Sequence, residues 1–507
     1  MPILLAWLLA AGTQASGYRI AGTLVNSLTR QPVAGARVTV APVEHPDQQI
    51  PFVTGQDGRF AFAGIPRGRY ELAAQRPGFL TETFSGAIVA GPDQRTDAIV
   101  LPISPPGLIA GKVVDEAGEP VALALVQLFD SAIVRGRRRL VSFAVKQTAD
   151  TGEYRFAALP PGTYYLAVSG YPWYTKFNQT HGDSPPRAIT HTGYGIRYYP
   201  NVADAAAAEP LNLKAGQDAT ADFTLLPVPA ATVQVHVEGG EDLAKQFKLA
   251  AAGLPGNRVL VRQGTEAGDL YNFWGIPPGH YTLRVRASDA NRSWYATDSF
   301  DVGATDTDVN VALLRAPSLA GSIVLEAGGS LPPNLSLQLL DTESGGSQSV
   351  PIGADGKFAI PAMAPGQFGV TLAGPVEYYL KAWSAEDGHR EGETLDIQES
   401  SAVRLKLWAA KGAGRVNGTV LRDGHPVAAA LVVLADPANP ENSRATRTGS
   451  DGSYEFTGVP PGAYALFGVA DGADLEYADP AAIRPYLGSA QKLRVSPAGA
   501  YTNRLDL

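Results

Sequence analysis

The sequence predicts an all-β protein built from five tandem β-sandwich domains. First, the stretch from Asp451 to Tyr464 reads as turn, strand, turn, strand, and it recurs five times along the chain. Second, the copies start between 87 and 117 residues apart, which is a domain length, whereas solenoid units span about 20–50 residues. Third, helical periodicity is almost absent, while 55 glycines and 39 prolines suit many short strands joined by turns.

The recurring stretch is explained residue by residue in its fifth copy. Asp451-Gly452 predicts a tight turn, because both residue types tolerate positive φ. Tyr454 and Phe456 lie two positions apart and therefore share one face of a strand. Pro461-Gly462 fits the centre of a type II turn, in which the glycine takes the positive φ and Tyr464 begins the next strand. The other copies cover residues 57–70, 151–164, 268–281 and 355–368.

A second pattern precedes most copies and completes the domain. It is a glycine followed by apolar alternation, a Pro-Val-Ala turn and another alternating strand, starting at Gly22, Gly111 and Gly418. About seven short strands per repeat predict a sandwich of Ig-like or transthyretin-like type. The expected domains are residues 17–104, 105–228 with an insertion at 171–199, 229–316, 317–411 and 412–507. The short proline-bearing joints predict a semi-extended array.

Composition restricts the compartment and the partners. Residues 1–16 contain an apolar run too short to span a bilayer, followed by small residues, and we interpret them as a signal peptide. The mature chain is therefore expected to be secreted, periplasmic or at the cell surface, with no membrane span. The net charge of −8 argues against nucleic-acid and anionic-membrane partners. The absence of cysteine excludes disulfides, thiolate zinc sites and cysteine nucleophiles.

The paired signature, G-x-V with P-V-x-A-x-V-x-L and then D-G-x-Y-x-F with P-P-G-x-Y, resembles the carboxypeptidase regulatory-like domain family. The resemblance implies transthyretin-like sandwiches grouped with the carbohydrate-binding-like fold, and a non-catalytic accessory or surface role in which sugar binding is common. A zinc carboxypeptidase would need H-x-x-E, yet none of the seven histidines has Glu three residues later. H-E-x-x-H, G-x-S-x-G and P-loop motifs are also missing. The sequence therefore predicts neither an enzyme nor a cofactor.

The insertion at 171–199 is far richer in aromatic residues than the chain average of 8%. Exposed Trp and Tyr rings can stack on sugars or anchor a protein partner, because each has an apolar face and a polar tip. The alternative is a loop that folds over the sandwich and buries the rings as a small additional core. Trp274, in the third domain, is expected to point away from the core-facing Tyr271 and Phe273. The candidate ligand-binding residues are Tyr171, Trp173, Tyr174, Phe177, Tyr198, Tyr199 and Trp274.

Charged and metal-binding residue types give weaker indications. The basic run from Arg135 to Arg139 is expected to cap a hairpin in solvent, with binding of an acidic polysaccharide as the alternative. His181 and His191 could hold a metal, but their spacing is unspecific. Asp306-Thr-Asp308 lacks the remaining oxygen ligands of a calcium loop. No metal site is therefore predicted.

Two functions fit these observations. The first is a secreted, non-catalytic protein whose carbohydrate-binding-like modules bind glycan or the cell envelope. The second is a structural or adhesive stalk, or an accessory subunit, that docks protein partners without a sugar site. The expected partner is thus a polysaccharide or a cell-envelope protein. The oligomeric state does not follow from the sequence.

Overall fold

The computed structural model describes residues 17–92, 94, 96–174, 191–240, 242–266, 268–290, 292–342, 345–391, 394–472 and 474–507. Antiparallel and mixed β-sheets dominate these residues, which confirms the predicted all-β sandwich class. The strands are grouped below into five modules, each with its own apolar core.

Module one contains β1–β8, and its two sheets have the strand orders β4-β1-β8 and β3-β2-β5-β6, with β7 also paired to β5. Ile20, Phe60 and Leu72 meet between the sheets and are fully buried. The strands are β1 Tyr18–Asn26, β2 Arg37–Pro42, β3 Ile50–Val53, β4 Arg59–Ile65, β5 Gly68–Gln75, β6 Glu82–Thr83, β7 Ile88–Ala90 and β8 Ile99–Ile103.

Module two contains β9–β19. One sheet has the order β12-β9-β17 with β18 also on β9, and the other has the order β11-β10-β13-β15 with β16 on β13. A separate pair, β14 with β19, leads into the next module. The strands are β9 Gly107–Val114, β10 Leu125–Val134, β11 Arg137–Gln147, β12 Glu153–Leu159, β13 Gly162–Ser169, β14 Thr192–Tyr194, β15 Arg197–Tyr198, β16 Leu211–Leu213, β17 Asp218–Thr220, β18 Phe223–Thr224 and β19 Pro227–Pro229.

Module three contains β20–β27, with sheet orders β23-β20-β26 and β22-β21-β24-β25-β27. Its core includes Val235, Phe247 and Leu283. The strands are β20 Ala231–Glu238, β21 Lys245–Ala252, β22 Arg258–Glu266, β23 Leu270–Ile276, β24 Gly279–Ser288, β25 Ser293–Val302, β26 Thr307–Ala312 and β27 Leu314–Arg315.

Module four contains β28–β36, with sheet orders β31-β28-β36-β33 and β30-β29-β32-β35-β34. Its core includes Leu319, Leu337 and Leu407. The strands are β28 Ser318–Leu325, β29 Ser336–Asp341, β30 Ser347–Pro351, β31 Lys357–Ile360, β32 Gly366–Ala373, β33 Tyr378–Glu386, β34 His389–Glu391, β35 Thr394–Ile397 and β36 Ala402–Lys411.

Module five contains β37–β44, with β38-β37-β41 and β44 in one sheet and β40-β39-β42-β43 in the other. The helix α1, Pro480–Leu487, starts at Asp479, whose carboxylate accepts the Ala481 N–H at 2.9 Å as an N-cap. The strands are β37 Gly414–Arg422, β38 His425–Pro426, β39 Leu431–Ala435, β40 Arg444–Arg447, β41 Ser453–Val459, β42 Gly462–Val469, β43 Gln491–Val495 and β44 Ala500–Asp506. Short 3-10 turns cover Ala205–Ala207 in module two and Pro440–Asn442 in module five.

All five modules share one strand arrangement. The first strand of each module (β1, β9, β20, β28 and β37) pairs antiparallel with the strand after the Asp-Gly turn, which is β4, β12, β23, β31 or β41. On its other side it pairs parallel with a strand from the end of the module, which is β8, β17, β26, β36 or β44. Parallel neighbours need a long crossover, so each module closes only when its last strand returns to its first.

The Asp-Gly turn requires glycine because its φ is positive and because the first strand leaves no space for a Cβ. Gly452 has φ +73°, and a Cβ there would lie 2.7 Å from the Val420 carbonyl oxygen of β37. Gly58 is equally constrained against Leu24. These glycines accept hydrogen bonds from the first strand, for example from Val420 N–H at 2.9 Å. The predicted positive φ is confirmed at this turn.

The prediction for the Pro-Gly turn is wrong. Gly462 does not have the left-handed φ of a type II turn; the positive φ falls four residues earlier, at Gly458 (φ +63°). Gly462 instead starts β42, where a Cβ would lie 3.3 Å from the ring of Tyr464. The Tyr464 hydroxyl donates to the Pro460 carbonyl at 2.9 Å. The tyrosine ring therefore lies over the glycine and locks the turn, so glycine serves here to leave space.

The expectation of a semi-extended array is also wrong. The Arg69 guanidinium of module one lies 3.0 Å from the Glu455 carboxylate of module five. The Ala478 N–H of module five donates to the Gly136 carbonyl of module two at 2.9 Å. The short joints restrict only consecutive modules, whereas these contacts join residues that are far apart in sequence. The chain therefore folds back so that module five packs on modules one and two.

Candidate functional site

The aromatic insertion of module two places one ring fully at the surface. Trp173 is 76% exposed, and its ring centroid lies 5.7 Å from that of Tyr174 in an edge-to-face arrangement. Tyr174 is half-buried, and burial is the main cause that raises its pKa, with Glu116 adding to the shift. Trp173 and Tyr174 thus form an exposed aromatic pair.

Tyr171 has a structural contact instead. Its ring lies 4.6 Å from the guanidinium carbon of Arg262, a buried residue of β22 in module three. Arg262 donates to the carbonyls of Val261 at 2.9 Å and Gly275 at 3.4 Å, and burial lowers its pKa to about 10. A cation held on a ring and away from water favours a fixed geometry. Tyr171 therefore fastens the start of the insertion to module three.

The other rings in the described part of the insertion do not lie on a common exposed surface. Tyr198 is 3% exposed and belongs to a small core between modules two and three, together with Phe129 and Val259. Tyr199 packs against the main core of module two. Phe177 lies outside the described residues. In the described part of the insertion, Tyr198 is buried and Tyr199 is partly buried, as expected for a loop that forms a small additional core. Trp173 is exposed, as expected for a ring that binds a sugar or a protein partner.

Trp274 and the aromatic residues of module four are also partly enclosed. Trp274 is half-buried, and its neighbour Tyr271 stacks on Phe247 with centroids 4.4 Å apart. Trp383 is 3% exposed, with the Arg390 guanidinium carbon 4.3 Å from its ring. Tyr379, by contrast, is half-buried and lines a cleft described below.

The basic run forms the predicted hairpin turn, but it does not lie free in solvent. Arg135 and Gly136 have φ values of +50° and +77°, as a two-residue turn between β10 and β11 requires. A Cβ on Gly136 would lie 2.6 Å from the Tyr477 ring of module five. Arg138 lies 3.3 Å from Asp474 and 3.6 Å from Glu476. The hairpin tip therefore docks on module five, and the solvent-cap expectation is wrong.

A cleft of about 1190 Å³, which we call the central cleft, lies between modules two, four and five. Arg137 and Arg139 of β11 line one wall, and the opposite walls carry Tyr379 of module four and Tyr477 of module five. Burial raises the pKa of Tyr477, although the nearby Arg135 acts in the opposite direction. Arginine and tyrosine at one concave surface can hold a polar, anionic ligand.

Some of the described histidines lie beside aspartate carboxylates. His191 Nε2 lies 3.4 Å from Asp306, and His280 Nδ1 lies 2.9 Å from Asp301. Asp306 also accepts the Thr232 N–H at 2.9 Å, so it fixes the start of module three. Among the described residues, no group of three or more His, Asp or Glu is placed to hold a metal ion. His181 lies outside them.

The residues that join modules were missed by the sequence reasoning. Gln127, on β10, is 3% exposed and exchanges two 2.9 Å hydrogen bonds with the backbone N–H and C=O of Leu260 in module three. The Ser169 hydroxyl donates to the same carbonyl at 2.7 Å. The only signal available was a polar residue within an apolar strand, since Gln127 interrupts the apolar run of β10.

Three segments of the chain match the family model of the carboxypeptidase regulatory-like domain. They cover residues 19–102, 108–226 and 415–486, which together exceed half of the chain. These segments fall in modules one, two and five. No curated protein matches the chain. In the part of the chain that the structure describes, no helix has the length and apolarity to cross a membrane.

Several solved structures are similar to the chain at low identity. The Bacillus anthracis TIE protein is 16% identical, covering 75% of this chain and 69% of its own, with a TM-score of 0.17. GBS52, the minor pilin of Streptococcus agalactiae, is 12% identical over 42% of this chain and 97% of its own, with a TM-score of 0.23. The RrgB pilus protein of Streptococcus pneumoniae is 9% identical over 71% of this chain and 90% of its own, with a TM-score of 0.16. Scores this low support no functional conclusion.

Proposed function

Since the chain belongs to the carboxypeptidase regulatory-like domain family, we propose that it is a secreted, non-catalytic scaffold that docks a cell-envelope protein. The observation that carries the proposal is the contact of module five with both module one and module two. Five sandwiches with separate cores need no such contacts to fold. Contacts that hold them in one arrangement serve to keep their surfaces at fixed relative positions.

The junction between modules two and three supports this scaffold role. Gln127 and Leu260 pair through two hydrogen bonds, and the Asn257 amide donates to the Leu140 carbonyl at 2.8 Å. Polar groups buried at an interface specify one geometry, because any shift leaves them unpaired. Modules two and three are therefore expected to move as one unit.

Trp173 is the docking residue that we propose for the partner. Large rings at exposed positions contribute much of the binding energy in protein interfaces, since they bury apolar area with few rotatable bonds. Trp173 meets this description, and Tyr171 anchors the chain two residues before it. The partner would thus meet an aromatic side chain on a fixed base.

The non-catalytic assignment is supported by the family and by the sequence. The chain carries regulatory-like domains without the H-x-x-E motif of a zinc carboxypeptidase. Secretion is proposed from the signal-peptide pattern of residues 1–16, which lie outside the described residues.

The docking proposal is tested by retention of envelope proteins from the source cells on the immobilised full chain. The double variant W173A/Y174A is expected to lose a protein that the parent retains. The matched control is Val53→Ala, which removes another exposed apolar side chain, 67% exposed, from module one. Equal retention by the parent and a folded W173A/Y174A variant would reject this docking site.

A second candidate function is glycan binding at the same aromatic pair. It is favoured by the 76% exposure of Trp173, which leaves most of the indole accessible for stacking on a sugar ring. A glycan array probed with the parent and with W173A/Y174A separates the two functions. Glycan binding that disappears in the variant, without any retained protein, would favour the sugar-binding function.

A further inference from the structure

The central cleft presents two arginine side chains with no partner in the described part of the chain. Successive residues of β11 point to opposite faces, so Arg137 and Arg139 share one face while Arg138 lies on the other. Arg138 pairs with Asp474 and Glu476, whereas no described residue forms a hydrogen bond or ion pair with the guanidinium of Arg137 or Arg139. The alternation thus divides the three arginines of β11 into one that docks on module five and two whose side chains are unpaired among the described residues.

Among the described residues, the side chain of Arg137 lacks a hydrogen-bond acceptor in the cleft. Its Nε atom is enclosed by protein and has no hydrogen-bond partner. A guanidinium donor that is removed from water without an acceptor is unfavourable, and a carboxylate is the acceptor whose planar geometry suits it best. A ligand that brings carboxylates into the cleft would satisfy this donor.

The opposite walls supply amides and tyrosine rings together with charged side chains of both signs, which are Asp341, Lys381, Asp436, Glu441, Arg444 and Glu455. Asn439 precedes the 3-10 turn of module five and Asn442 ends it, both with exposed side chains, and the Asn439 side chain makes no capping hydrogen bond. Tyr379 and Tyr477 are half-buried at the lining. Amides hydrogen-bond to hydroxyl groups in either direction, and a tyrosine ring packs on the apolar face of a sugar.

We propose that the central cleft binds an oligosaccharide that contains uronic acid units. Its carboxylates would pair with Arg137 and Arg139, and its hydroxyls and ring faces would contact the amide and tyrosine wall. Glu441 lies on that wall and lines the cleft. A carboxylate such as that of Glu441 accepts hydrogen bonds from the hydroxyls of a sugar, which the side chains of an acidic peptide lack, so the observations favour the sugar. This inference goes beyond the docking function and does not depend on Trp173.

The test is calorimetric titration of the full chain with trigalacturonate. Maltotriose serves as the neutral saccharide and hexaglutamate as the acidic peptide. The variants are R137Q/R139Q and the single R139Q, which changes only an exposed side chain. The matched control is Arg155→Gln, an exposed arginine on β12 of the same module that does not line the cleft. Circular dichroism and thermal melting confirm that each variant is folded.

We expect trigalacturonate to bind, and R137Q/R139Q to lower the affinity about tenfold or more, because two charged hydrogen-bonding groups are lost. R139Q should weaken binding by a smaller factor, Arg155→Gln should leave it unchanged, and added salt should weaken it. Failure of the parent to bind, or equal binding by R139Q and the parent, would overturn the proposal. Binding of hexaglutamate as tight as that of trigalacturonate would show recognition of charge alone and overturn the saccharide assignment.

Discussion

Arg69 and Glu455, 386 positions apart in the chain, form an ion pair of 3.0 Å between Nη1 and Oε2. The other carboxylate oxygen of Glu455 lies 3.1 Å from Nε of Arg415, within module five. Beside this pair, the Ser450 N–H of module five donates to the Ala87 carbonyl of module one at 3.1 Å. The contact between the two terminal modules therefore combines a charge pair with direct backbone contact.

The backbone part of this contact should be the sensitive one. Gly86 has φ +87°, and a Cβ there would lie 2.2 Å from the Thr448 carbonyl oxygen of module five. Gly86→Ala is expected to separate modules one and five and to increase the radius of gyration in small-angle X-ray scattering. Gly78→Ala is the matched control, because Gly78 has a similar φ of +84° but nothing within 4 Å of its added Cβ. An unchanged scattering curve for a folded Gly86→Ala variant would contradict the closed arrangement.

The ionic part should contribute little. The Arg69 side chain is 45% exposed, so solvent screens its attraction to Glu455, and such pairs are worth about 0–1 kcal/mol. Arg69→Gln, which leaves the pair of Arg415 with Glu455 in place, is expected to lower the free energy of unfolding by no more than about 1 kcal/mol, with the difference shrinking in about 1 M salt. Glu209→Gln, at an exposed residue outside the recorded ion pairs, should show no salt-dependent difference. Chemical denaturation of the parent and both variants at two salt concentrations measures these differences in the free energy of unfolding. A loss of several kcal/mol would mean that the ion pair dominates the contact.

The tyrosine of the Pro-Gly turn should stabilise its module measurably. The Tyr164 hydroxyl donates to the Pro160 carbonyl at 2.8 Å, from a ring that is almost fully buried. Tyr164→Phe removes only this bond, so we expect a loss of about 0.5–1.5 kcal/mol in the unfolding of module two. Tyr165→Phe is the control, because that half-buried residue has no recorded hydroxyl hydrogen bond within the described structure. Equal stability of the two variants would mean that the hydrogen bond from Tyr164 to Pro160 does not stabilise the module.

The same tyrosines predict loss of stability in alkali. Burial is the main cause that raises the pKa of Tyr164, Tyr281 and Tyr464 from 10.0 to about 12. The folded protein thus holds these protons more tightly than the unfolded chain does. The resulting stabilisation is complete below pH 10 and is lost as the pH rises towards about 12. Tyrosinate absorbance and circular dichroism, recorded in one titration, should show these tyrosines ionising as the fold is lost. Their complete ionisation near pH 10 in a folded chain would contradict the prediction.

The junction between modules two and three should depend on one amide. Gln127→Leu leaves the Leu260 N–H of module three without its acceptor at a buried position, which costs about 1–3 kcal/mol. We expect earlier proteolytic cleavage near β22 and a lower melting temperature. Gln263→Leu is the control, since Gln263 lies exposed on β22, the strand that contains Leu260. If Gln127→Leu leaves the rate of cleavage and the melting temperature unchanged, or slows cleavage, then the two hydrogen bonds between Gln127 and Leu260 do not fix the junction.

The sequence reasoning succeeded where structure follows from local chemistry. Gly452 has the positive φ that its Asp-Gly turn predicted. At Pro461-Gly462 the same reasoning failed, because the position of Gly462 is set by the Tyr464 ring that lies over it. The turn type there is decided by a side chain from the following strand, which residue preferences for the turn alone do not include.

The candidate sites show the same limit. Both Trp173 and Tyr198 belong to one aromatic-rich insertion, yet Trp173 is exposed while Tyr198 lies in the small core between two modules. Composition identified the segment but could not sort its rings, because the surface that covers Tyr198 comes from module three. Arg137, Arg138 and Arg139 are likewise separated by their positions on β11, and the carboxylates that pair with Arg138 come from module five.

By itself the sequence determined the all-β class and the repeated turn-and-strand unit, since alternation, Asp-Gly turns and apolar spacing act over a few residues. Only the tertiary structure decided how the modules meet. The contacts of Arg69 with Glu455 and of Gly136 with Ala478 join residues that are hundreds of positions apart in the chain. Such contacts depend on the shapes of complete modules, and they leave no periodic pattern in the chain.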